Sequence, residues 1–163
     1  MAKHTAMKKS ILFISLIANI LTTTAVQAQD DCDVRALKNE LLQGLKPDFK
    51  YDSYKATRFI YKNEVQVIEI AAPLFKDEKF RFLLNTAGLP KDIEIKFFNK
   101  KKGKSNRKEL FAVKDSPEDG KNVYIFEPAV SKTIYLNYTI PRTTKQNLTG
   151  CIVCVIGYHL NAE

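Results

Sequence analysis

A mainly β fold is predicted for this 163-residue chain: an antiparallel β-sandwich of about eight strands, preceded by one short N-terminal helix. Three observations carry that expectation. From Tyr54 onward apolar side chains recur with a period of two. Gly, Pro, Asn and Asp break the sequence into short runs of β-branched and aromatic residues. Only one segment after the first 28 residues, close to its start, has helical spacing.

The helix is expected over Asp30 to Lys46. Asp30 or Asp31 offers the N-cap carboxylate, and Val34, Leu37, Leu41 and Leu45 make one apolar stripe. Gly44 and Pro47 end it, since neither sustains a helix interior. The clearest strand alternates Ile93, Ile95 and Phe97 with Glu94 and Lys96, after the turn-forming Gly88-Leu89-Pro90. A second alternates Ile134, Leu136, Tyr138 and Ile140 with Thr133, Tyr135, Asn137 and Thr139, and stops at Pro141. Both are expected to have one dry and one wet face. Shorter strands are read at Lys55 to Tyr61, Glu64 to Ala71, Lys79 to Asn85, Glu109 to Val113 and Asn122 to Phe126. The last, Cys151 to Tyr158 (CIVCVIGY), has no polar alternation. Both of its faces should therefore be covered, the core on one side and the helix on the other. No second helical pattern is long enough for parallel crossovers, so βαβ units are not expected.

Residues 1 to 28 read as a cleavable secretion signal. Lys3, Lys8 and Lys9 form a basic n-region, Ile11 to Leu21 an apolar h-region, and Val26 and Ala28 the small residues before a cleavage site. The apolar run is well short of the roughly 20 residues a membrane-spanning helix needs. Residues 29 to 163 are then expected as a single sandwich domain without a transmembrane span, in the periplasm, on the cell surface or outside the cell. Losing three lysines and no acid leaves 23 basic and 18 acidic residues, a balance of +5.

Export makes the three cysteines, Cys32, Cys151 and Cys154, candidates for a disulfide. Cys151 and Cys154 stand three apart in a strand, which puts their Cα atoms roughly 10 Å apart on opposite faces, beyond the ~7 Å a disulfide tolerates. The bond should tie Cys32 to one of these two and leave one thiol over. Closing a loop of that size stabilises by about 4 to 5 kcal/mol in the chain-entropy model, at the upper end of what is measured.

Asn99 to Lys108 (NKKKGKSNRK) concentrates positive charge in a hairpin loop: Lys100, Lys101, Lys102, Lys104, Arg107 and Lys108. Such a cluster attracts an acidic partner over a distance, though many charge runs do no more than keep a loop solvated. For an exported chain the partner would be an acidic envelope component or a protein. Nucleic acid is not expected, because no aromatic residues interleave the charges to stack bases. Asp115 to Gly120 (DSPEDG) has the acids of a calcium loop but not its spacing, since Pro117 takes a ligand position and Phe126 the place of the closing glutamate. A plain turn is expected there. Beyond the signal the only histidine is His159, of opposite parity to Cys154, so a Cys-His catalytic pair, a histidine-rich metal site and a cofactor are not expected. Without tryptophan, a sugar-stacking platform would need tyrosines such as Tyr124 and Tyr135.

The order Cys32-Asp33-Val34, Leu45-Lys46-Pro47, Tyr51-Asp52-Ser53, Ala72-Pro73-Leu74-Phe75 and Lys79-Phe80-Arg81-Phe82 resembles a group of small secreted proteins of Bacteroidota bacteria that have no assigned activity. Leu89-Pro90, Phe126-Glu127-Pro128 and Gly150-Cys151 through Gly157-Tyr158 continue the likeness, which spans nearly all of the chain after the signal. The resemblance implies the compartment and a jelly-roll-like strand order, similar to domains that accompany secreted peptidases. If relatives keep the cysteines matching Cys32 and Cys151, it also implies that pair as the disulfide, with Cys154 a buried thiol. The function expected is an exported, non-enzymatic binding or accessory protein of the cell envelope. The alternatives are a carbohydrate-binding module and a hydrolase using two carboxylates.

Overall fold

A computed structural model describes residues 32–75, 78–89, 93–113, 122–129, 132–145 and 147–160. Helix α1 runs over Val34–Gln43. Its N-cap is Asp33, not Asp30 or Asp31: the Ala36 amide donates to Asp33 Oδ1 at 2.9 Å, satisfying one of the N–H groups that a helix start leaves open. At the other end Gly44 closes the helix with right-handed backbone angles.

Eight strands follow: β1 (Lys50–Ile60), β2 (Gln66–Ala72), β3 (Glu78–Asn85), β4 (Glu94–Phe98), β5 (Glu109–Val113), β6 (Val123–Phe126), β7 (Ile134–Ile140) and β8 (Thr149–Leu160). β1 begins at Lys50 rather than Lys55. The alternation there is hidden because residues 50–52 are exposed and the register slips between Tyr51 and Ser53. The strands form two four-stranded sheets, ordered β1-β8-β3-β6 and β2-β7-β4-β5, with antiparallel pairing throughout. Partners nest about the β4–β5 hairpin: β4 pairs β5, β3 pairs β6, β2 pairs β7 and β1 pairs β8. That nesting is the winding of a jelly roll, so the expected sandwich and its jelly-roll-like order are both present.

The inward residues of the two sheets make the main core. Ile95 and Phe97 of β4, Ile134, Leu136, Tyr138 and Ile140 of β7, and Ile152, Cys154 and Ile156 of β8 are all buried in it. Phe82, Phe97, Phe111 and Phe126 bring four strands together there, with ring centroids 4.9 Å apart for Phe97 and Phe126 and 5.1 Å for Phe111 and Phe126. Tyr138 stays protonated inside this core, its pKa driven up first by burial and then by neighbouring Cys154.

A second apolar cluster lies on the outer face of the first sheet, where Leu41 and Leu45 cover Leu83, Val153 and Val155. This explains the unbroken apolar run of β8: its even-numbered residues face the sandwich and its odd-numbered ones face the helix. Gly157 takes its place in that scheme as a gap. A Cβ there would run into Leu45 and stand 3.0 Å from the Lys50 carbonyl oxygen. Polar contacts fix the helix laterally. Fully buried Asn85 donates to Glu40 at 2.8 Å and accepts from the Ala87 amide at 2.9 Å. Arg81 donates to the Gly44 carbonyl at 2.9 Å and to Glu127 at 2.7 Å, with its guanidinium 4.0 Å from the Phe49 ring centre.

Cys32 and Cys151 form a disulfide with Cα atoms 5.9 Å apart, and Cys154 is a free buried thiol. The signal segment, residues 1 to 28, and the turn Asp115 to Gly120 lie outside the described residues. Among the described residues no helix is long and apolar enough to cross a membrane.

Candidate anion-binding site

The basic segment joins β4 to β5 as an ordered loop. At its base the Asn99 amide donates to the Lys108 carbonyl at 3.2 Å, and the Lys108 amide donates back to the Asn99 side chain at 2.7 Å. At its tip the Lys104 amide donates to the Lys101 carbonyl at 3.2 Å, and Gly103 and Asn106 take the left-handed backbone angles that let so short a segment reverse.

Arg107 turns this hairpin onto the outer face of the second sheet. On that face Ala71, Tyr135, Phe98 and Glu109 form one cross-strand row, and Glu69, Asn137, Lys96 and Ala112 the next. The Arg107 guanidinium lies 3.5 Å from the Phe98 ring centre and donates to Glu69 at 3.1 Å and Asn137 at 2.8 Å, while its Nε donates to the Lys100 carbonyl at 3.0 Å. Glu69 also accepts from the Lys102 amide at 3.0 Å. Asn137 is thereby buried, although its strand position belongs to the face expected to be wet. The sequence places Arg107 among the six cations of the hairpin loop. Its planar fork and stacking surface are instead used inside the protein.

Beside the anchored loop lies an open depression of about 350 Å³. The loop lines it with Lys100, Lys101 and Lys104, and the chain entering β7 adds Lys132. Asn99, Thr133 and Tyr135 complete it, and no acidic side chain is among the lining residues. Lys100 Nζ donates to the Ser105 carbonyl at 2.9 Å, which uses one of its three protons and fixes the ammonium. Of the six loop cations read from the sequence, three reach the depression, while Lys102 and Lys108 are exposed outside it. Tyr135 is one of the tyrosines the sequence offers for sugar stacking, whereas Lys132 is not a sequence candidate, because only the pairing of β7 with β4 brings it beside the β4–β5 loop.

Other sequence candidates are dispersed. Tyr124 packs against the main core while Tyr135 stands on the outer face of the other sheet, so the two form no joint platform. Cys154 faces the core, and His159 lies on the opposite face of β8 with its ring 5.8 Å from that of Phe49. Burial pushes the Cys154 pKa up to about 12, which keeps the thiol protonated and unreactive. On the second sheet Lys96 pairs with both Glu94 and Glu109, at 3.4 Å from Glu109. Its hydrogen bond holds Glu94 below the usual carboxylate range, and Glu94 in turn raises Lys96. Among the described residues no group of three His, Cys, Asp or Glu side chains could hold a metal ion.

No protein-family model, curated protein or solved structure matches this chain.

Proposed function

We infer that the protein is an exported, non-enzymatic binding protein of the cell envelope, holding an anionic partner at the basic depression beside the β4–β5 loop. The observation that carries this reading is the convergence of Lys100, Lys101, Lys104 and Lys132 on one depression without an acid in its lining. Four ammonium groups kept together repel one another, and an anion among them relieves that repulsion. The Arg107 anchor supports the reading, since it holds the loop in shape before any partner arrives and so reduces the ordering cost of binding. The disulfide fits an oxidising compartment, in keeping with the secretion signal read from the sequence. A hydrolytic role gains less support, because Glu94 and Glu109 of the second sheet are each engaged in an ion pair with Lys96.

The test is affinity capture of the tagged mature protein from envelope extracts at low and high salt, beside a Lys101→Glu/Lys132→Glu variant. The expected result is a component retained by the wild type at low salt, released at high salt and absent from the variant, since ionic strength screens exposed charges. A partner captured equally by both proteins would place recognition elsewhere and overturn the assignment to this depression.

A further inference from the structure

We propose that the ligand of this depression is an acidic saccharide, whose carboxylate or phosphate groups meet the lysines while a sugar ring lies against Tyr135. This rests on the binding-protein reading above and names its ligand class. Size is the first argument. About 350 Å³ is near the lower end of the roughly 300 to 1,000 Å³ typical of small-molecule sites, which suits a short stretch of saccharide. The lining is the second. Asn99 and Thr133 offer an amide and a hydroxyl among the cations, groups that pair with sugar hydroxyls as both donors and acceptors. A bare inorganic anion would need only the ammonium groups. Tyr135 is the third: it is held in a cross-strand row between Ala71 and Phe98 on the outer face, giving the site an apolar ring edged by a polar tip. Lysine rather than arginine supplies the charge, so the site does not demand planar, two-pronged recognition, and carboxylate and phosphate are both met by point charges.

The experiment titrates the folded mature protein with four probes: a galacturonic acid trisaccharide, glucose 6-phosphate, a neutral galactose trisaccharide and inorganic phosphate. Binding is read by amide chemical shifts and calorimetry. The expected result is that one or both acidic sugars bind at least about tenfold tighter than the neutral sugar and than inorganic phosphate, with shifts confined to residues 99–104 and 132–135. The two acidic probes distinguish a carboxylate from a phosphate source. Lys101→Ala and Lys132→Ala should each weaken binding roughly tenfold, the scale of one charge-assisted hydrogen bond. Tyr135→Leu, which keeps apolar bulk but removes the ring, should weaken the acidic sugar and leave inorganic phosphate unchanged. The wild-type shift map needs no variant to fold. Phosphate binding as tightly as both acidic sugars, neutral sugar matching them, shifts located elsewhere, or no binding to either acidic sugar would each overturn the proposal. In any of those cases, salt-sensitive capture that depends on Lys101 and Lys132 would leave the binding-protein reading standing.

Discussion

Cys154 shows how one side chain's chemistry is set by its position in β8. It faces the sandwich interior with no exposed surface, and burial pushes its pKa up to about 12. At neutral pH the nucleophilic thiolate is then a vanishing fraction, and reagent cannot reach the sulfur while the sheets are closed. With Cys32 and Cys151 joined, the native protein should release no colour from a disulfide-exchange reagent, and the unfolded, unreduced chain should release one equivalent of thiol. Rapid reaction of the native chain would mean that the pairing or the burial is wrong. The separation of Cys151 and Cys154 onto opposite faces was legible in their spacing alone, because strand parity is local. The choice between them as partner of Cys32 was not legible from spacing. It depends on α1 lying over the outer face, where Gly88 leaves room beside the Cys151 sulfur: a Cβ on Gly88 would approach it to 2.7 Å.

The β4–β5 hairpin behaves as an element anchored at one point. Arg107 and Glu69 are both largely buried, at 20 % and 16 % side-chain exposure, and Asn137 beneath them has few other routes to satisfy its amide oxygen. Arg107→Ala should therefore cost about 1 to 3 kcal/mol in denaturant unfolding, the range for leaving a buried polar partner unmatched. It should also weaken binding at the depression by freeing Lys100, Lys101 and Lys104 from their fixed backbone. Arg107→Lys should fail to restore either property, since an ammonium cannot reach Glu69, Asn137 and the Phe98 face together. A variant with wild-type stability and affinity would show that the loop holds itself. The hairpin and its charge were readable from sequence, whereas the anchor was not. Glu69, Asn137 and Arg107 come from three separate stretches, and their meeting requires the β2-β7-β4-β5 order, which no local period encodes. Lys132 was missed for the same reason.

At the scale of the whole molecule, strands and helix announce themselves because periods of two and 3.6 residues are local, while the pairing of β1 with β8 joins the two ends of the domain. That pairing sets the folding problem: the chain must close its longest loop to form the long β1–β8 ladder, and such non-local contacts are formed at the full cost of loop entropy. The disulfide spans 119 residues across the same closure, from Cys32 before α1 to Cys151 in β8. Its main effect should lie in the unfolded state, since the folded ends are already held by the β1–β8 ladder, the Leu41 and Leu45 contacts and the Asn85–Glu40 hydrogen bond. The Cys32→Ala/Cys151→Ala protein should accordingly keep its native β-sheet circular dichroism, lose about 2 to 5 kcal/mol of unfolding free energy, and refold more slowly than the oxidised protein while unfolding at a similar rate. Equal stability would mean that the unfolded chain keeps its ends together without the bond. A loss confined to faster unfolding would place the bond's contribution in the native state, in the docking of α1 on β8, rather than in the closure of the roll.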